Sequence, residues 1–353
     1  MYDEKFTLES EVGDMDFFKS NAGNLALLSL LLVGVLAASV LFPSMPNVFS
    51  SVKMNNPCSP SVMNTIAASK DDLEKALKEV SMADKTVIIS MVNKAYVESE
   101  EKTMLDLFME SFWSGEGTRS LVNHLLLVTV DQTAFDRCMF LRLRCYRLWI
   151  DDMDSEGEKL YMSDEFIKMM WRRTLFLADV LRRGYSFIFT DMDVIWLRNP
   201  FTRLSQDQRE DLQISCDRFY GDSWSAANPI NTGFYYVRSN SKTVALFEAW
   251  YAMKANSTGK KEQDVLQEMR DMGELSRLGI KVRYLDTLYF SGFCQDSRDF
   301  GAVITVHANC CRTINAKVAD LWAVLHDWNR FKAFTNQTSS FQWSNRTACI
   351  QSW

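Results

Sequence analysis

Apolar residues along the chain fall into two periods. Thr86 to Met91 (TVIISM), His124 to Val130 (HLLLVTV) and Tyr185 to Thr190 (YSFIFT) are short, nearly unbroken runs. Their length and β-branched or aromatic character fit strands buried on both faces. Between them the apolar positions recur at helical spacing. Glu101 to Trp113 places Leu105, Phe108 and Phe112 on one face, and Phe135 to Leu148 aligns Cys138, Leu141, Cys145 and Leu148. Asp164 to Arg183 is a third helix, with Ser163 placed to cap its start and Gly184 to stop it. The order β-α-β-α-β predicts an α/β fold, a mostly parallel sheet flanked by helices.

One apolar run belongs to neither pattern. Leu25 to Phe42 (LALLSLLLVGVLAASVLF) carries no charge and ends at Pro43. At about 1.5 Å per residue it reaches roughly 27 Å, close to the thickness of a bilayer's hydrocarbon core. A cleaved signal peptide is the competing reading, but such segments have shorter apolar regions nearer the N-terminus. The division expected is a cytosolic tail over 1–24, a transmembrane signal-anchor over 25–42, a stem over 43–82 and a globular body over 83–353. The stem is rich in Ser, Asn, Pro and Lys, with a short helical pattern from Asp71 to Val80.

Charge sets a limit on partners. A net charge of −6 with no basic stripe argues against a nucleic-acid polymer. The tail before the anchor is itself acidic, so the positive-inside rule gives no clear orientation. Cysteines and sequons do better. All eight cysteines, from Cys58 to Cys349, lie beyond the anchor, as do the N-glycosylation sequons at Asn256, Asn336 and Asn345. That distribution suggests an oxidising, glycosylating compartment, hence a single-pass type II protein with its body in a lumen. Pairing among the eight cysteines is open. If Cys138 and Cys145 share a helix they stand about 10.5 Å apart, too far for a mutual bridge. The adjacent Cys310 and Cys311 point to different partners.

Candidate chemistry sits after the strands. The first strand runs into Asn93, the second into Asp131, and the third into Asp191-Met192-Asp193. Ligands of open α/β sheets bind at the carboxyl ends of strands, so these groups converge on one crevice. Two carboxylates flanking one residue can place oxygens about a common point, which suits Mn²⁺ or Mg²⁺ and the phosphates such ions bridge. Elsewhere a bare DxD is a solvated turn; behind a buried strand the metal reading gains. His124 and His326 lack any such context and read as structural.

Six pieces occur in order: TVIISMVNKAY, MMWRRTLFLADVLRRGYSFIFTDMDVIWLRNP, NPINTGFYYVRSN, EQDVLQ, YLDTLYFSGFCQ and VHANCC. Together, over Lys85 to Trp328, they resemble the plant nucleotide-diphospho-sugar transferase family classed as glycosyltransferase family 77. The resemblance implies a GT-A fold with a Rossmann-like nucleotide-sugar-binding sheet and a DxD metal site. It also implies retaining chemistry and Golgi residence, with transfer of a pentose such as xylose or arabinose to a cell-wall polysaccharide or glycoprotein. It places Asp191 and Asp193 on the metal and on the ribose-diphosphate of the donor, expected to be a UDP-sugar. His307 in VHANCC takes the position of a third metal ligand. Arg173 and Lys317, by the same analogy, face the sugar or the phosphates. Asn231 and Gly233 of NTG line the donor, the Asn reaching sugar hydroxyls and the glycine permitting close backbone approach. Asp217 in SCDRFYGD is placed to reach the same cleft or to be a loop acid. Glu262 and Gln263 match a family DQD and are assigned to the catalytic face of the donor sugar, with Glu262 one methylene longer than the family's acid.

The expected reaction is metal-dependent glycosyl transfer with departure of a nucleoside diphosphate. Two other readings are a metal-dependent hydrolase and a non-catalytic Golgi scaffold or lectin-like protein with the same fold.

Overall fold

The computed structural model describes residues 72–148, 163–334 and 341–353. The tail, the anchor, most of the stem, Cys58 and Asn336 lie outside them. Among the described residues no helix is long and apolar enough to cross a membrane.

The chain alternates strands β1 (Thr86–Val92), β2 (Leu125–Thr129), β3 (Cys145–Arg147) and β4 (Ser186–Thr190) with helices, and continues through β5 (Val194–Trp196), β6 (Leu212–Cys216), β7 (Ile230–Val237), β8 (Val282–Tyr284), β9 (Phe290–Gly292) and β10 (Thr305–His307). Seven strands form one sheet in the order β3-β2-β1-β4-β7-β6-β8. Its pairings are parallel except where β7 runs antiparallel to β4 and β6. The mostly parallel, helix-flanked sheet expected from the strand and helix order is present.

Period two decides the layers. Along β1, Ile88 and Val92 enter one core while Val87 and Ile89 enter the other, and Ile188 of β4 opposes Phe187 and Phe189 in the same way. Both faces are dry, which is why these strands read as continuous apolar runs. One face is covered by the helix Met104–Ser114, whose N-cap Thr103 forms a capping box with Asp106, and by the long helix Ile314–Ala333. The other face takes the helices Asp164–Arg182 and Ser241–Ala252. Ser163 caps Asp164–Arg182 by accepting from Phe166 N–H at 3.2 Å, and Gly184 ends it at φ 80°.

Two expectations are corrected. The helix read over Phe135 to Leu148 covers only Gln132–Phe140. Arg142 turns the chain at φ 55°, and Cys145–Arg147 pairs in parallel with β2 as an edge strand. The turn brings Cys138 and Cys145 to a Cα separation of 6.1 Å, and they form a disulfide. The helical pattern assigned to the stem is a helix over 72–80 whose Leu73, Leu77 and Val80 are buried in the core. The folded body therefore begins inside the segment read as stem.

A second, three-stranded sheet orders β5-β10-β9. Its β5 follows β4 directly in the chain, and its β10 ends at His307.

Candidate active site

Backbone pairing brings the acidic motif and its partners together. Asp191 follows the last paired residue of β4, and its N–H donates to Gly233 O at 2.7 Å, so β7 delivers Gly233 beside it. Asp193 precedes β5, where Val194 is in register with His307 at the end of β10. The Ala308 N–H fixes Asp193 further by donating to its carbonyl at 3.0 Å. Sequence distance thereby becomes contact.

The ligand atoms of Asp191, Asp193 and His307 all lie within 4.8 Å of one another. His307 Nε2 is 3.3 Å from Asp193 Oδ1, and Lys317 Nζ donates to Asp193 Oδ2 at 2.8 Å. Burial alone would raise the Asp193 pKa, but the Lys317 ammonium and the imidazole outweigh it and hold the carboxyl well below the usual range. Asp191 is shifted the other way, chiefly by burial and against the pull of Arg173. Burial opposes the charge on His307 and on Lys317, and Asp193 overcomes it in both, so each holds its proton more tightly than in water.

A second cluster lies alongside. Arg173, on the helix before β4, donates to Asp191 Oδ1 at 2.7 Å, to Thr232 Oγ1 at 3.3 Å and to Glu262 Oε1. Its guanidinium stacks 4.5 Å from the centre of Phe189. Burial disfavours that charge, yet Glu262 and Asp191 raise the pKa further, so the group stays cationic. Thr232 bridges the cluster: its hydroxyl donates to Glu262 Oε1 at 2.9 Å, and its N–H donates to Gln263 Oε1 at 3.0 Å. Glu262 Oε2 is buried and has no hydrogen-bond partner among the described residues.

Both clusters line one cleft of about 270 Å³, together with Asn93, Asp217, Asn231, Gly233 and Lys317. Asp217 Oδ1 accepts from Asn231 Nδ2 and from Asn309 Nδ2, each at 2.8 Å. Asn231 Oδ1 accepts from Gly233 N–H at 2.9 Å near the start of β7. Gly233 is indeed a close-approach glycine, but what approaches is protein: a Cβ there would meet His307 Cε1 at 2.2 Å. The sequence reading missed Asn309, although it lies inside the VHANCC piece.

Asp131 departs from expectation. Its carboxylate caps the helix Gln132–Phe140 through Ala134 N–H at 2.7 Å and accepts from Lys94 N–H at 2.6 Å. Both oxygens are committed to backbone, and the residue does not line the cleft. Asp131 holds the turn that follows Asn93, so it positions rather than binds. His124 is structural, its Nδ1 lying 2.8 Å from Val80 O, and His326 is exposed on the helix Ile314–Ala333.

The donor set fits a hard divalent ion. Two carboxylates and one imidazole within ligand reach suit Mn²⁺ or Mg²⁺ better than a soft, thiolate-seeking metal. The charge balance agrees. Four carboxylates of the lining, Asp191, Asp193, Asp217 and Glu262, face four cations, Arg173, Lys261, Arg312 and Lys317, so an added dication would be matched by an arriving diphosphate.

Known proteins bear on this geometry. A protein of Arabidopsis thaliana described as uncharacterized is 55% identical over 287 residues, 80% of this chain and 84% of its own. The Arabidopsis beta-arabinofuranosyltransferase RAY1 is 24% identical over 214 residues, 59% of this chain and 37% of its own. An Arabidopsis UDP-D-xylose:L-fucose alpha-1,3-D-xylosyltransferase is 29% identical over 79 residues, 22% of this chain and 18% of its own. The sequence profile of the nucleotide-diphospho-sugar transferases matches residues 120–321, which run from before β2 into the helix Ile314–Ala333 and include both acidic clusters. The chain belongs to the nucleotide-diphospho-sugar transferase family of glycosyltransferases.

Proposed function

We propose that the protein is a metal-dependent transferase that moves a pentose from a UDP-sugar to a cell-wall polysaccharide or glycoprotein, with retention at the anomeric carbon. The observation that carries the reading is the convergence of Asp191, Asp193 and His307 with the buried Arg173 and Glu262 and the half-buried Gln263 in one cleft. Xylosyl and arabinofuranosyl transfer by relatives supports the pentose.

Asp191, Asp193 and His307 would hold Mn²⁺ or Mg²⁺, which supplies Lewis-acid charge to the diphosphate as it departs. Arg173, buried, and Lys317, half-buried, are both firmly protonated and are cations within reach of that developing charge. Their carboxylate partners fix them before the donor arrives, so little reorganisation is needed at the moment of bond breaking. Glu262 Oε2, which has no hydrogen-bond partner among the described residues, would accept a donor sugar hydroxyl. Gln263, its Oε1 held by Thr232, orients the same sugar. Retention follows a front-face course. The bond from the anomeric carbon to the diphosphate oxygen breaks, the acceptor oxygen bonds on the same face, and its proton passes to the leaving phosphate.

We assign the body to the Golgi lumen, behind a type II membrane anchor at 25–42. The disulfides Cys138–Cys145, Cys294–Cys310 and Cys311–Cys349 and the exposed Asn256 and Asn345 support that side of the membrane.

Donor hydrolysis by the full chain over a panel of UDP- and GDP-sugars with Mn²⁺ is the test. One UDP-pentose turned over, with activity lost on chelation and in Asp193→Ala, is the expected result. Equal rates with and without chelator would overturn metal dependence. Turnover of hexose donors alone would overturn the pentose, and an inverted product would overturn retention.

A further inference from the structure

Trp353 is 67% exposed and yet tied down from several directions. Its indole N–H donates to Cys310 O at 3.2 Å. The Arg312 guanidinium stacks 4.2 Å from its ring centre. Ser352, its neighbour, accepts from Arg312 N–H at 3.1 Å. The Cys311–Cys349 disulfide staples the short helix Thr347–Gln351 that carries it. An exposed indole gains little from burial, and chain segments of this kind are ordinarily loose unless something holds them. Here two contacts hold the aromatic ring itself, two more hold the chain beside it, and Trp353 lines the cleft.

Its location is specific. Cys310 takes a left-handed φ of 53°, which sends its side chain to Cys294 while Cys311 turns to Cys349. The Cys294 sulfur lies 3.6 Å from Asp217 Oδ1. One disulfide therefore has the tethered Trp353 at its Cys310 end and a cleft-lining carboxylate at its Cys294 end. Asp217 Oδ1 is occupied by the Asn231 and Asn309 amides, an arrangement that fixes the carboxylate without exhausting its capacity to accept. A rigid aromatic surface and a fixed hydrogen-bond acceptor, set at the rim of a cleft whose floor holds the acidic cluster, are the pair of features that binds a sugar ring. The apolar C–H face packs on the indole, and a hydroxyl donates to the carboxylate.

We infer that Trp353, supported by Arg312 and the two disulfides, is the stacking platform for a sugar ring of the acceptor, with Asp217 holding one of its hydroxyls. The inference rests on the transferase reading and names where that transferase takes its acceptor. The competing occupant of the same ring is the base of the nucleotide donor, which also presents a face for stacking.

The full chain is applied, with UDP and Mn²⁺ present, to an array of neutral xylo-, arabino-, galacto- and fucosylated oligosaccharides, and UDP affinity is measured separately by calorimetry. Trp353→Ala is expected to weaken array binding by ~10-fold or more, the scale of one good aromatic contact. Trp353→Phe retains most of it, and UDP affinity stays within about twofold in both variants. Asp217→Asn weakens array binding without altering UDP affinity. Loss of UDP affinity in Trp353→Ala would overturn the inference in favour of base stacking. Unchanged oligosaccharide binding, or none by the wild-type chain, overturns it outright. Failure of the wild-type chain to bind UDP at all would instead count against the transferase reading.

Discussion

Gly233 and His307 show how closely the site is packed at the scale of single residues. The imidazole lies where a Cβ of residue 233 would stand, 2.2 Å from Cε1 and 2.9 Å from each ring nitrogen. The backbone of β7, paired on both sides, cannot yield, so the imidazole held at Asp193 is the part that must move. In Gly233→Ala the imidazole should therefore shift away from Asp193 and Asp191. Misplacement by about 1 Å costs ~10²-fold in rate, so metal-dependent donor hydrolysis should fall by at least that much. Stability should fall by only about 1–3 kcal/mol, as for other overpacked sites. Circular dichroism and a hydrolysis assay on one preparation decide it, and near-wild-type turnover would sink the argument. The chemical types at this scale were legible in the sequence, since DMD, His307 and EQD carry their meaning in their neighbours. What Asp131 does was not legible. A carboxylate after a strand looks the same whether it faces a ligand or caps the next helix, and only the Ala134 and Lys94 N–H groups distinguish the two.

Elements followed the sequence where their signal was local. Ser163 and Gly184 bounded a helix because a side-chain cap and a left-handed residue act within one turn. The failure between Phe135 and Leu148 has an equally physical cause. Helical spacing of Cys138, Leu141, Cys145 and Leu148 persists past the point where the helix ends, because pairing with β2 outweighs the propensity of the last turn. The resulting disulfide pins an edge strand at the end of the sheet. Closing so short a loop contributes roughly 2 kcal/mol by restricting the unfolded chain. Cys138→Ser should therefore lower the urea midpoint. An unchanged midpoint under oxidising conditions would show that the bridge is not formed.

For the whole molecule, compartment is the open question with the most direct test. Asn256 and Asn345 are exposed, and the three disulfides among the described residues need an oxidising milieu. Expressed through a secretory pathway, the chain should carry glycans at both positions. Removal by an amidase should produce a mobility shift that the double variant Asn256→Gln, Asn345→Gln lacks, apart from any contribution of Asn336. A wild-type chain without glycans would remove the support for a lumenal body.

By itself, the sequence determined the strands β1, β2 and β4 and the helices Met104–Ser114 and Asp164–Arg182, because a strand buried on both faces leaves an unbroken apolar run and a helix buried on one face leaves a period of 3.6. It also determined that an acidic pair follows β4, since strand ends and their loops are contiguous in sequence. The tertiary structure alone decided which groups meet. His307 reaches Asp193 through the register of β10 on β5, and Gly233 reaches Asp191 through the antiparallel β7. Arg173 meets Glu262 across 89 residues. Such meetings depend on strand order and disulfide connectivity, which are non-local and leave no periodic mark. The rim where Cys310 and Cys311 part, and where Trp353 comes to stand at the cleft, has the same origin.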